Sequence, residues 1–169
     1  VEYAVMLKNI YAIAAGIAHG LGYGDNFQSV LMSNAIREMK RFINRMHKMK
    51  RNINNSAYLG DLLVTGYSVF SRNRMFGNMI GKGYTVKSAQ MEMSMVAEGY
   101  YATKSAYHIN VENGAKTPII NTVYNILYDG KNPKKQFRNL LNLKNIYLYH
   151  EKCMNFTNIK QTIKTIPKI

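Results

Sequence analysis

The chain has 169 residues, enough for one domain with a real core. Its 47% hydrophobic and 11% aromatic content excludes an intrinsically disordered chain. The net charge of +14 favours anionic partners, whether nucleic acid, phosphorylated metabolites or an anionic membrane surface, without choosing among them. One cysteine, Cys153, excludes an internal disulfide and fits a reducing compartment. Three prolines, abundant Met, Ala, Leu and Lys, and scarce period-2 alternation predict an all-α fold of about seven or eight helices.

The chain opens VEYAVMLKN, without Met or a leader, and is expected to be part of a longer protein. Residues 1–19 read as a largely buried helix that stops near Gly20. Its apolar run, Ile10–Ala18, is well short of the ~20 residues that span a bilayer, so no membrane span is expected. Glycines 20, 22 and 24 precede Asp25 and Asn26, which reads as a helix stop followed by a helix start. The glycines follow a helix where a dinucleotide loop follows a strand, which favours a plain turn.

A second helix is predicted over 26–51. Val30, Leu31, Ile36, Met39, Phe42, Ile43 and Met46 supply its apolar face, and Arg37, Arg41 and Arg45 share another. Lys40, Lys48, Lys50 and Arg51 thicken the basic face, which is either a solvated surface or a polyanion footprint. A loop and a short apolar segment around Asp61 follow. Helices are then predicted over 72–80, 86–92, 98–112, 118–128 and 133–141. Ser71 and Thr85 serve as caps, and Pro118 and Pro133 open first turns. From about residue 143 the helical stripe fades, and 144–169 reads as a basic tail.

Three polar features stand against this pattern. Lys8 and Asn9 interrupt an apolar helix, and either Lys8 lies on its one exposed stripe or it is buried. An unpaired buried ammonium is costly or loses its proton more readily, which suits proton transfer. Asp61 in YLGDLLVTG needs a cation, and Lys8 is the obvious candidate. Ser71-Arg72-Asn73-Arg74 stands at the mouth of a helix. Helix starts present free N–H groups and attract phosphate, and arginine offers a planar fork matched to phosphate oxygens.

The stretches LKNIYAIAAGIAHGLGYGDN, YLGDLLVTGYSVFSRNRMFG, VAEGYYATKSAYHI and VYNILYDGKNP together resemble the C-terminal domain of NAD(P)-dependent glycerol-3-phosphate dehydrogenase over about residues 1–142. The resemblance implies an all-helical domain of the 6-phosphogluconate-dehydrogenase type, residues 1–143, normally preceded by a Rossmann domain. It also implies reversible hydride transfer between NAD or NADP and glycerol 3-phosphate or dihydroxyacetone phosphate in the cytoplasm, with the cofactor held mainly by the Rossmann domain and no metal. Carried over by motif, Lys8 is the acid/base at the carbinol oxygen, and Asp61 holds it. Asn9 and Thr65 line the substrate site. Ser71, Arg72 and Asn73 bind the substrate phosphate. Arg72, Val96 and Glu98 approach the cofactor. Two features depart from the family: Ala97 stands where Val is usual, and the tail from about residue 144 matches nothing in it.

The alternative reading is a non-enzymatic basic helical module that binds nucleic acid or another polyanion. It is disfavoured, because the basic face lacks interleaved aromatics and no reader motif is present. A homodimer is compatible with the Met-rich composition.

Overall fold

Ile10 to Ala18 of the first helix are buried on every side, as expected of a helix apolar all round. That helix, α1 (Glu2–Gly20), is the axis of the computed structural model, which describes residues 2–46, 56–68, 70–95 and 97–142. The described residues form seven further helices: α2 (Asp25–Met46), α3 (Ser56–Tyr67), α4 (Arg72–Gly81), α5 (Val86–Glu92), α6 (Glu98–Asn113), α7 (Pro118–Leu127) and α8 (Pro133–Asn142). No strand occurs among them, so the fold is all-α. Helices α2, α3, α4, α6 and α7 all pack on α1.

The closest approach is between α1 and α4. Gly16 and Gly20 face Gly77 and Gly81. A Cβ on Gly16 would overlap the Arg74 carbonyl oxygen, and one on Gly77 would overlap that of Ile13. Two Gly-x-x-x-Gly stripes therefore bring the backbones into direct contact, and α4 gains a fixed register on α1.

Helix α2 has an amphipathic pattern, with Leu31, Met32, Ala35, Met39, Phe42 and Ile43 buried. Glu38 lies fully buried on the same face. Pro118 opens α7 and has no N–H, so the next free donors are those of Ile119 and Ile120. Both donate to the Glu38 carboxylate, at 2.7 and 2.9 Å. Thr117, the N-cap, makes no side-chain cap bond, and Glu38 takes that role from another helix. Helices α6 and α7 are joined by stacked tyrosines: Tyr107 on Tyr124, Tyr124 on Tyr128, and Tyr128 on Tyr100. The Tyr128 hydroxyl also donates to the Tyr100 carbonyl oxygen at 2.8 Å.

Most helix bounds lie within a residue or two of those expected from sequence. The segment around Asp61 differs: a 12-residue helix, α3, stands where a loop and a short apolar segment were expected. Gly60, Val64, Thr65 and Gly66 are poor helix formers, so local propensity hides it. Tertiary packing supplies the stability. Leu62 is buried, and Gly66 lies so close to Met32 that a Cβ would sit 2.7 Å from its Sδ. Helix α2 is described to Met46, and Lys48, Lys50 and Arg51 lie outside the described residues, as do the 144–169 tail and Cys153.

Candidate active site

The site draws on α1, α3, α4 and α6, with α1 packed against each of the other three. Lys8 on α1 and Asp61 on α3 form an ion pair, with Nζ 2.7 Å from Oδ2. The Lys8 side chain is 21% exposed and that of Asp61 46%. The pair therefore sits at the rim rather than in the core. An ion pair this open contributes only about 0–1 kcal/mol to stability, so its placement is not explained by the fold's energetics. One turn on from Asp61, the Thr65 hydroxyl donates to the Asp61 carbonyl oxygen at 2.7 Å. Asp61 and Thr65 thus share one face of α3.

Asn9 follows Lys8 and is nearly buried. Its Nδ2 reaches Glu98 Oε2 at 3.5 Å. Glu98 opens α6, and its other oxygen lies 4.0 Å from an Arg72 nitrogen. The second Arg72 terminal nitrogen lies 3.6 Å from Met95 Sδ. Glu98 is therefore the anion standing between Asn9 and Arg72.

Ser71 caps α4, and its Oγ accepts from Arg74 N at 3.3 Å. That bond leaves the Ser71 hydroxyl proton free to donate. The backbone N–H groups of the first turn add further donors. Arg72 is exposed, whereas Asn73 is buried, and Asn73 Oδ1 accepts from Gly99 N at 2.8 Å. The arrangement offers a proton-carrying lysine with a carboxylate to orient it. Beside the pair lies a donor-rich helix start suited to phosphate.

The structure thus brings together Lys8, Asn9, Asp61, Thr65, Arg72, Asn73 and Glu98, with Ser71 at the cap. Val96 lies outside the described residues. Arg37, Arg41 and Arg45 are exposed on α2, which contributes no residue to this assembly, and Arg41 Nε donates to the Lys116 carbonyl oxygen at 3.1 Å. Sequence reasoning passed over Gly99. The available signal was a glycine in the first turn of a predicted helix, where Gly costs about 1 kcal/mol relative to Ala. It also passed over Glu38, a charge within the apolar stripe of α2.

Fold and site define an all-helical domain that sets a lysine–carboxylate pair beside a donor-rich helix start. The family model described as NAD-dependent glycerol-3-phosphate dehydrogenase C-terminus matches residues 1–138, and the chain belongs to that family. It is 42% identical to the glycerol-3-phosphate dehydrogenase (NAD(P)+) of Geobacillus thermodenitrificans over 141 residues, covering 83% of this chain and 41% of the relative. The Staphylococcus epidermidis enzyme of the same name is 40% identical, covering 83% and 42%. The chain thus spans about two-fifths of the length of the curated relatives it matches. Among solved structures, glycerol-3-phosphate dehydrogenase from Coxiella burnetii superposes with a TM-score of 0.80 at 32% identity, over 83% of this chain and 43% of that one. The Plasmodium falciparum structure, at 22% identity and a TM-score of 0.72, shares the fold.

Proposed function

We propose that this chain is the substrate-holding domain of an NAD(P)-dependent glycerol-3-phosphate dehydrogenase, interconverting dihydroxyacetone phosphate and glycerol 3-phosphate. The observation that carries the reading is the Lys8–Asp61 pair, 2.7 Å apart at an open rim where it does little for stability. In the reductive direction Lys8 gives a proton to the carbonyl oxygen as carbon 2 is reduced, and in the oxidative direction it takes that proton back. Asp61 holds the ammonium in place, and Thr65 stiffens the turn that carries Asp61. Ser71, Arg72, Asn73 and the first-turn N–H groups of α4 bind the phosphate. Asn9 lies beside Lys8 at the reacting end.

NAD or NADP supplies or accepts the hydride. Arg72 and Glu98, both exposed at the rim, are the described residues that fit it from this side. Two residues at an open edge make only part of a dinucleotide site. This matches a cofactor held mainly by a Rossmann domain that the family carries before the helical one. On this reading residues 1–143 act as one helical unit with 144–169 as a basic tail, and the enzyme works in the cytoplasm, as a homodimer. Among the described residues no helix is long and apolar enough to cross a membrane.

The full-length protein carrying Lys8→Ala tests the assignment. Turnover is expected to fall about 10²–10⁴-fold with KM little changed, as for loss of a positioned acid/base. An unchanged kcat with a raised KM would make Lys8 a binding residue instead.

A further inference from the structure

Gly99 sits in the first turn of α6, immediately after Glu98, at the point where three helices touch. Its φ is not positive, so backbone conformation does not require glycine there. Space does. A Cβ would lie 2.7 Å from Ile13 Cδ1, 2.8 Å from the Asn9 carbonyl oxygen and 2.8 Å from Asn73 Oδ1. The isoleucine methyl could move. The Asn9 oxygen belongs to the backbone of α1, and Asn73 Oδ1 is held by the Gly99 N–H at 2.8 Å.

That hydrogen bond decides which way the Asn73 carboxamide faces. A backbone N–H can only donate, so the atom turned toward Gly99 is the oxygen. The Asn73 NH₂ is thereby committed to the other side. Asn73 is only 8% exposed, yet its Nδ2 makes no hydrogen bond among the described residues. The Asn73 NH₂ is not among the buried atoms that lack a partner, so it keeps an opening to solvent and is free to donate to an accepting ligand. The same end of α4 carries the Arg72 guanidinium and the free N–H groups of the first turn.

We infer that Gly99 is a positioning residue that sets the polarity of the anion cradle. Its N–H turns Asn73 so that the amide donors, not the oxygen, face the substrate phosphate, and its missing side chain lets α6 seat against Asn9 and Asn73. The inference rests on the dehydrogenase reading and extends it to what selects a phosphorylated substrate. With its donors turned outward, Asn73 adds to the Arg72 guanidinium, which Glu98 meets only at 4.0 Å, and favours a phosphate over an uncharged analogue.

The test compares dihydroxyacetone phosphate with dihydroxyacetone as substrates of the full-length enzyme. The quantity read is the ratio of their kcat/KM values. In Gly99→Ala this ratio is expected to fall about 10- to 100-fold, the range of one lost or misaligned hydrogen bond to a charged group. The loss should lie in KM for the phosphorylated substrate. Parallel losses on both substrates, leaving the ratio intact, would reduce Gly99 to a packing role and overturn the inference.

Should Gly99→Ala fail to fold, Asn73→Asp decides. The aspartate keeps an acceptor for the Gly99 N–H but replaces the donors with a carboxylate. A melting temperature near wild type with a collapsed ratio supports the inference, and a retained ratio overturns it. Wild-type enzyme that does not turn over dihydroxyacetone phosphate would overturn the dehydrogenase reading and this inference with it.

Discussion

Glu38 shows how one residue can join two helices and expose the fold to pH. Burial pushes its carboxyl up from 4.5 to about 8, against the opposing pull of the Ile119 and Ile120 N–H groups and of Arg41. The Tyr11 hydroxyl is buried against it, and burial together with the neighbouring Glu38 carboxylate raises that phenol as well. A carboxyl that holds its proton more tightly folded than unfolded stabilises the fold most at low pH. That contribution is fully present below about 4.5 and is lost as pH rises through about 8. Thermal melting followed from pH 5 to pH 8.5 is expected to show a declining melting temperature. Glu38→Gln cannot ionise and should flatten that decline. A wild-type slope that survives in Glu38→Gln would place the titrating group elsewhere. Lys8 and Asp61 contrast with Glu38. They lie at the rim, already paired, and the chemistry proposed for them depends on access rather than burial.

Between elements, the decisive contact is α1 against α4. Each of the four glycines meets the backbone of the opposite helix, so the spacing of α4 on α1 is set there by main chain against main chain. Gly77→Ala must push α4 away from Ile13. Overpacking of this kind costs about 1–3 kcal/mol, occasionally more. The expected result is a lower denaturation midpoint together with a raised KM for the proposed phosphorylated substrate, because α4 carries the proposed phosphate cradle. A variant with wild-type stability and KM would show that the helices can separate freely there. Helix α3 makes a related point. It holds Asp61 through the burial of Leu62 and the close fit of Gly66 on Met32, not through strong helix formers.

Across the whole molecule the charge is uneven. The net charge of +14 would draw any polyanion, but the exposed basic face of Arg37, Lys40, Arg41 and Arg45 lies on α2, which contributes no residue to the candidate site. Binding of glycerol 3-phosphate to the full-length protein, measured by calorimetry, should be lost in Arg72→Ala and kept in Arg41→Ala. The reverse pattern would move the anion site to the basic face. The sequence by itself determined the all-α class, most helix bounds and the identity of nearly every candidate residue. These are local signals: caps at Ser71 and Thr85, prolines at 118 and 133, and short motifs with charges in apolar surroundings. Only the tertiary structure decided that α3 is a helix, that Glu38 caps α7 from a distance, and that Gly99 turns the Asn73 amide. Each of those depends on a partner many residues away in the chain. Periodicity and capping report only what a segment does with its own neighbours, and the direction of a carboxamide or the fit of a missing side chain is fixed by what lies across the gap.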